Sequence, residues 1–251
     1  MSRRSDDVLL EHYRGLGNQA NDFRNRNLRG LVASMVTGTS VLDIGCGSGH
    51  LLRLLQDQGK DVVGLEPSGE LVHLAQALHG PLRIEHGSPE DIDGWPHRFD
   101  TITIIDVLEH IQDDVQQLRR MNALLKPRGR LVIVAPAFQV LYGPRDAEQG
   151  HFRRYGRGDL VGKLHLMGYR ITRVRYWNAM GFLPYFIASR LLPRLLRVDL
   201  RSANEKGALK RVMIRVLDAW YRYFENRINC GFGLSLIVVA DKPSCDTSDA
   251  Y

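Results

Sequence analysis

The hydrophobic pattern of the chain alternates between short, nearly continuous apolar runs and longer segments with apolar residues at helical spacing. Seven runs are typical of buried strands, at residues 40–45, 61–65, 82–85, 100–105, 130–135, 170–176 and 235–240. The segments between them favour helices at residues 9–36, 50–58, 71–79, 113–125, 159–167 and most of 179–227. Apolar strands separated by helices predict an α/β fold, in which a mainly parallel sheet is covered by helices on both faces.

The length of 251 residues suits a single domain with additions around one sheet. We expect an N-terminal helical segment at 9–36, a ligand-binding core at 38–138 and a polar loop at 138–157. A helical insertion at 179–232 would separate the sixth strand from the last strand at 235–240. Because the polar loop follows the fifth strand, at the edge where open α/β sheets bind ligands, it is the expected substrate loop.

Composition and short motifs exclude several classes of protein. No apolar run is long enough to cross a membrane, and no secretory signal follows the N-terminal arginines, so we expect a cytoplasmic location. The three cysteines, Cys46, Cys230 and Cys245, match no zinc pattern, and we expect no metal. Zinc-protease and P-loop motifs are also absent from the sequence.

The strongest local signal is a glycine loop where the first strand meets the next helix. Asp43 precedes Gly45, Gly47 and Gly49 in a G-x-G-x-G pattern. Glycine permits a positive φ and a close approach of a ligand to the backbone, and the following helix offers free N–H groups. A dinucleotide-binding loop would place its third glycine at His50, and a carboxylate suits a cationic ligand better than a pyrophosphate. By itself the pattern could also form a mere tight turn.

Four further segments follow the glycine loop in a fixed order. Glu66 ends the second strand, where an ionised carboxylate can accept hydrogen bonds from both hydroxyls of a ribose. Residues 87–92 follow the third strand. Residues 100–110 contain the fourth strand and the polar residues at its end, and residues 124–133 lead into the fifth strand. Each segment alone is common, but five of them in this order are hard to obtain by chance.

Together these segments resemble the class I S-adenosylmethionine-dependent methyltransferases, and the likeness covers residues 41–135 and the last strands. The resemblance implies a Rossmann-like seven-stranded sheet in the order 3-2-1-4-5-7-6, with the seventh strand antiparallel. It also implies that the glycine loop holds the methionine part of the cofactor and that Glu66 binds its ribose. The residues implied to contact S-adenosylmethionine are Asp43, Gly45, Cys46, Gly47, Gly49, Glu66, Pro67, Ser88, Pro89, Glu90 and Asp106.

The sequence departs from the family pattern at Ser88, where the family usually carries an acid. A hydroxyl can still bond the adenine amino group, but more weakly than a carboxylate, and Pro89 has no N–H to donate. We interpret Cys46 chiefly as a packing residue of the loop. Residues 106–109 lack the Asn/Asp-Pro-Pro-Tyr/Phe pattern of DNA amino methylation, and no Pro-Cys nucleophile is present. A small-molecule, saccharide or lipid-linked acceptor, methylated on oxygen or nitrogen, is therefore favoured over nucleic acid.

Candidate catalytic and substrate-binding groups cluster in the polar loop. His110 and His151 are the candidate bases, although His110 could instead be a helix-start residue and His151 part of a salt-bridge corner. Arg145 and Arg154 could grip a carboxylate or phosphate of the acceptor. The motif from Asp146 to Tyr155 resembles a methyltransferase subgroup associated with cell-surface saccharide and lipid-linked assembly. The candidate substrate-binding residues are Tyr142, Arg145, Arg154, Tyr155 and Asn178.

The net charge of +6 belongs to one late segment. Residues 190–227 hold ten lysines and arginines against four aspartates and glutamates, an excess equal to that of the whole chain. Residues 205–227 also have an amphipathic helical pattern. One interpretation is a lid over the acceptor pocket with a basic face in solvent. A second is peripheral contact of residues 180–227 with an anionic membrane, and RNA binding is a third.

Two other functions remain compatible with the sequence. An NAD-dependent oxidoreductase would share the glycine loop, although the shifted third glycine disfavours it. A catalytically silent partner subunit that merely binds the cofactor would share all of the motifs. The sequence does not indicate the oligomeric state.

Overall fold

A single sheet of seven strands lies in the part of the chain that the computed structural model describes, residues 23–96, 98–191 and 208–244. The strands are β1 (Ser40–Ile44), β2 (Asp61–Glu66), β3 (Ile84–His86), β4 (Phe99–Ile105), β5 (Leu125–Pro136), β6 (Arg170–Trp177) and β7 (Ser235–Asp241). Their order is β3-β2-β1-β4-β5-β7-β6, and β7 runs antiparallel to both β5 and β6. The predicted fold class and the strand order implied by the resemblance are confirmed.

Helices follow most of the strands, as the periodicity predicts. They are α1 (Phe23–Ala33), α2 (His50–Asp57), α3 (Gly69–His79), α4 (Asp114–Leu124), α5 (Pro144–Glu148), α6 (Arg157–Leu166), α7 (Ala179–Leu191) and α8 (Ala208–Trp220). A π-helical turn, Tyr221–Glu225, continues α8. Residues 9–22 of the first predicted helix and residues 192–207 of the insertion lie outside the described residues. None of the described helices combines the length and the apolar character needed to cross a bilayer.

Two apolar cores lie on opposite faces of the sheet, because alternate residues of a strand point to opposite sides. In β1, Leu42 and Ile44 pack into the core that contains Leu118 of α4 and Leu160 of α6. Val41 points the other way, into a second core that helices α1, α2 and α3 complete. The expected covering of the sheet by helices on both faces is thus observed.

The polar loop at 138–157 is more ordered than its composition suggests. A 3-10 turn, Gln139–Leu141, precedes the short helix α5. Pro144 at the start of α5 has a fixed φ suited to a first helical turn, and the Asp146 carboxylate accepts from the Gly143 N–H at 3.0 Å. The loop therefore holds a helix that the sequence analysis did not predict, since five residues are too few to show a period.

Glu225 joins the two helices of the insertion. Its buried carboxylate accepts from the Ala179 N–H at the start of α7 (3.1 Å) and from the Trp220 indole N–H at the end of α8 (2.8 Å). Both bonds lie where water cannot replace a lost partner. The position of α7 relative to α8 therefore depends on Glu225, because each of its two carboxylate oxygens accepts a hydrogen bond from one of these helices.

Replacing Glu225 by Gln should lower the free energy of unfolding by about 1–3 kcal/mol, because the amide group presents N–H to one of these two donors. Urea denaturation followed by tryptophan fluorescence measures this change. Glu85→Gln is the control, because Glu85 is exposed on β3, and it should stay within about 0.5 kcal/mol of the parent protein. Equal stability of the two variants would contradict the assigned role of Glu225.

Candidate functional site

The glycine loop connects β1 to α2 at the carboxyl edge of the sheet. Gly45, Gly47 and Gly49 all have positive φ, between 54° and 74°. A Cβ at Gly45 would collide with the Val107 side chain, and a Cβ at Gly49 would lie 2.7 Å from Leu82 Cδ1. The loop thus needs glycine at these places both for backbone conformation and for space.

Glu66, at the end of β2, is tied to this loop. Its Oε2 accepts from the Gly47 N–H at 2.8 Å, and its Oε1 accepts from the Ser68 N–H at 3.0 Å. Burial raises the pKa of Glu66, while these two hydrogen bonds oppose the rise. Since a carboxylate oxygen has two lone pairs, each oxygen can still accept one further hydrogen bond, as two adjacent hydroxyls would require.

Asp43 is a second buried acid beneath the loop, and only Thr103 donates to its side chain among the hydrogen bonds of the described residues (2.6 Å). Burial raises the pKa of Asp43 to about 7; the Thr103 hydrogen bond opposes this and the charge of Glu66 adds to it. A cation nearby would relieve the cost of ionising Asp43. Cys46 is buried between the loop and β2, and burial raises its pKa as well, which keeps the thiol protonated and supports the packing role.

The end of β4 brings Asp106 to the same edge. Asp106 has a positive φ of 51°, a left-handed conformation that is costly for a residue other than glycine, and its N–H donates to Val134 O at 2.9 Å. The next residue, Val107, is the one that lies against Gly45. The strained turn therefore places the end of β4 against the glycine loop, as the resemblance implies for Asp106.

The segment after β3 forms a 3-10 turn, Pro89–Ile92, on the far side of the edge. The Ser88 hydroxyl donates to the Glu90 carboxylate, and Pro89 O accepts from the Gln117 side chain at 2.8 Å. Pro67 O lies 3.0 Å from Nε2 of His86. The predicted adenine-side residues are thus together, with the Ser88 hydroxyl already engaged by its neighbour.

His110 and His151 meet beside the polar loop. Their rings pack edge to face with centroids 4.6 Å apart. Ligand-type atoms of these two side chains and of Glu109 all lie within 4.8 Å of one another, so the three could together hold a divalent cation. Glu109 is not among the predicted site residues, although an acid directly before a candidate histidine, shortly after a buried strand, was an available signal.

Burial shifts the pKa values of Glu109 and His110 in this second cluster toward the neutral forms of both groups. Burial raises the pKa of Glu109 well above its usual range, and the charge of Asp106 adds to that rise. Burial lowers the pKa of His110 to about 4, and His151 contributes to the same effect. Oε2 of Glu109 is buried without a hydrogen-bond partner among the described residues. The influence of Asp106 on Glu109 shows that the cluster adjoins the end of β4.

Asp146 on α5 holds His151 and Arg154 together. Its Oδ1 lies 3.2 Å from Nδ1 of His151 and accepts from Nε of Arg154 at 2.8 Å. The pKa of Asp146 is lowered, because these partners outweigh its burial. Tyr142 donates from its hydroxyl to His151 O at 2.8 Å. The structure thus brings His151, Arg154 and Tyr142 together around a carboxylate that the sequence analysis did not single out for a role.

The remaining predicted substrate residues lie elsewhere. Arg145 is exposed on α5. Tyr155 is fully buried, and its single hydroxyl proton lies between two acceptors, the Asp114 carboxylate (3.0 Å) and Leu108 O (3.2 Å), so it braces the loop from within. Asn178 has a φ of 70°, and its Oδ1 accepts from the Tyr221 hydroxyl at 2.5 Å, inside the insertion.

Comparisons with known proteins agree with this geometry. A family model described as a methyltransferase domain matches residues 12–198. A ubiquinone biosynthesis O-methyltransferase of Azorhizobium caulinodans is 33% identical over 131 residues, which are 51% of this chain and 47% of that protein. A protein of the same name from Bradyrhizobium diazoefficiens is 38% identical over 113 residues, 43% of each chain. The match thus spans less than half the length of these curated relatives.

Solved structures share the fold at low identity. A chain from the complex between the Haloferax volcanii Trm112 methyltransferase activator and a methyltransferase has a TM-score of 0.62 at 19% identity, covering 97% of this chain and 98% of that one. The plantazolicin methyltransferase BpumL in complex with SAH has a TM-score of 0.56 at 16% identity, covering 89% and 88%. Identities this low show the fold alone.

The family model covers well over half of the chain, and the sheet has the expected order. These comparisons support neither an NAD-dependent oxidoreductase nor a catalytically silent subunit. The chain therefore belongs to the methyltransferase domain family, with the fold of the class I S-adenosylmethionine-dependent methyltransferases.

Proposed function

We propose that the protein transfers a methyl group from S-adenosylmethionine to a hydroxyl oxygen of a small-molecule or lipid-linked acceptor. The observation that carries the proposal is the pair of buried acids, Asp43 and Glu66, at a loop whose glycines have positive φ and pack against Val107 and Leu82. Oxygen is favoured over nitrogen because the curated relatives are named O-methyltransferases. Nucleic acid is not a proposed acceptor.

The residues present fit this cofactor. Glu66 offers two carboxylate oxygens, each with capacity for one more hydrogen bond, which suits a ribose diol. Asp43 is a buried carboxyl whose ionisation a nearby cation would favour. A pyrophosphate beside two buried acids would be repelled. The set therefore favours a cationic nucleoside without phosphates.

Bound S-adenosylmethionine would supply an electrophilic methyl group on a sulfonium. The chain then has to hold the acceptor in line with that methyl group, exclude water and accept the hydroxyl proton. Asp106 and Glu109 lie where the cofactor loop meets the histidine cluster. Acceptor binding between the two clusters would place its hydroxyl near His151.

His151 is arranged to take up that proton. A carboxylate accepts only, so the contact of Asp146 with Nδ1 favours the tautomer whose proton is on Nδ1, and Nε2 is then free to accept. Asp146 would also stabilise the imidazolium once it forms. Arg154 also donates to Oδ1 of Asp146 and so helps to fix this carboxylate. His110, edge-on to His151, would orient the ring.

The setting that we propose is cytoplasmic, with peripheral contact between residues 180–227 and an anionic membrane. The excess of arginine and lysine in residues 190–227 supports this contact. A membrane would also be the source of a lipid-linked acceptor.

Affinity for S-adenosylmethionine should rise as the pH increases through about 7, since ionised Asp43 attracts the cationic ligand and protonated Asp43 does not. Asp43→Asn should bind more weakly and lose this part of the pH dependence. Calorimetric titration of both proteins between pH 5.5 and 8 measures the difference between their affinities. The ligand's own amino group titrates equally in both experiments, so its effect cancels in this difference. Parallel pH profiles for the two proteins would disprove the role of Asp43.

His151→Ala should lower kcat for methylation of a small hydroxyl-bearing acceptor that the parent protein methylates by about 100-fold or more, the usual loss of a general base. Affinity for S-adenosylmethionine should stay unchanged. Labelled-methyl transfer measures kcat, and His165→Ala, at an exposed position on α6, is the matched control. Asp146→Asn should lower kcat in the same direction but less. If His151→Ala kept the kcat of the control, another group would have to accept the proton.

Loss of activity of the parent protein with a chelator would indicate a cation at Glu109, His110 and His151.

A further inference from the structure

Most of the apolar side of α8 faces away from the rest of the protein, although Trp220 packs against the second core. Val212, Met213 and Val216 are 55%, 52% and 62% exposed. In the π-helical turn that follows, Tyr223 and Phe224 are 54% and 52% exposed. These five positions fall within one third of the helix circumference, because residues three or four apart share a face. They form an outward apolar stripe, which a solvated surface helix does not normally present.

The polar and aromatic side of the same helix holds it to the protein. The Asp218 carboxylate accepts from Arg26 at 2.9 Å and from Asn27 at 2.7 Å, both on α1. Tyr221 is buried, and its ring packs against Trp177 with centroids 4.9 Å apart. A lid would turn its apolar side toward a pocket, and the observed orientation is the reverse. The outward stripe is therefore a consequence of how α8 is anchored.

The charges of this region are sorted in the same way. Its two described acids point inward, since Asp218 bonds to α1 and Glu225 is buried between α7 and α8. Arg215, Arg222 and Arg227 are exposed, and Arg222 also pairs with Asp218, with Nη2 3.5 Å from Oδ2. An apolar stripe flanked by outward arginines, with the acids withdrawn, complements a surface that is apolar inside and anionic at its rim.

Helix α7 also exposes apolar side chains. Met180, Leu183, Phe186 and Ile187 are between 39% and 60% exposed. The start of α7 meets the end of α8 at Glu225. On the same helix the Tyr185 hydroxyl accepts from Nη2 of Arg154 at 2.7 Å, so α7 also touches the residues that hold His151.

We propose that the outward apolar residues of α7 and α8, with their flanking arginines, form a docking surface for an anionic phospholipid bilayer. The choice of occupant follows from charge. A second copy packed face to face would bring the same arginines together without acids between them, and this repulsion disfavours a dimer. The anionic headgroups of a bilayer attract those arginines, and its apolar interior can take up the side chains of the outward apolar stripe. The docking surface deepens the membrane contact that is part of the proposed function, but it does not depend on methyl transfer, whereas a membrane source of the acceptor does.

The test is flotation of the full-length protein with vesicles of phosphatidylglycerol and phosphatidylcholine, compared with phosphatidylcholine alone, at low and high salt. We expect binding to the anionic vesicles only, weakened by salt because ions screen the arginines. Val216→Glu should reduce binding at least tenfold. The matched control is Leu166→Glu, because Leu166 is a 90% exposed apolar residue on α6, and it should bind as the parent does. Arg215→Gln with Arg222→Gln should lose salt sensitivity.

Three results would overturn the proposal. They are no binding to anionic vesicles, equal loss in Val216→Glu and Leu166→Glu, or a dimer in light scattering that Val216→Glu dissociates while vesicles leave it intact. Thermal melting verifies that both variants fold, as their exposed positions predict. Calorimetry with S-adenosylmethionine on the same samples separates the two proposals: a protein that binds vesicles without binding the cofactor refutes the proposed function and leaves the docking surface standing.

Discussion

The backbone N–H of Gly47 donates to the buried carboxylate of Glu66, and this contact joins the loop after β1 to the end of β2. The loop can make it only because its glycines adopt positive φ and carry no side chain where Val107 and Leu82 lie. In turn the contact keeps an acid, which burial would otherwise force toward neutrality, able to ionise. The geometry of the cofactor site thus depends on the hydrogen bond between the Gly47 N–H, which the positive φ of the loop orients, and the buried Glu66 carboxylate.

Two pairs of acids have opposite environments. Asp43 and Glu66 are buried with no cationic side chain of the described residues bonded to them, and burial raises their pKa values. Asp114 and Asp146 are bonded to arginine or lysine, and their pKa values are lowered. The charge of the first pair is left for a ligand to balance. The charge of the second pair is balanced by arginine and lysine, and these ion pairs fix the loop that carries His151. Binding and positioning are thereby assigned to different carboxylates.

The sequence could predict the part of this arrangement that repeats along the chain. The alternation of apolar runs and helical segments defined the sheet, and the acids at strand ends marked Asp43, Glu66 and Asp106. Individual contacts between residues far apart in the sequence produce no periodic pattern, so they could not be predicted in this way. The placement of Asp146 under His151 depends on a five-residue helix, and the inward turn of Tyr155 depends on Asp114, which is far away in sequence.

Orientation of an amphipathic helix is a further limit of sequence analysis. The pattern of residues 205–227 predicts two sides but not which one meets the protein, and the ordinary expectation is that the apolar side is buried. In this chain Asp218 and Tyr221 make the inward contacts, so a few bonds outweigh the general preference. The matched family range ends at residue 198, before α8 begins, so family membership does not account for this orientation. An apolar stripe kept outward by specific bonds exposes the protein to aggregation unless something covers it, and outward arginines restrict that partner to one that carries negative charge.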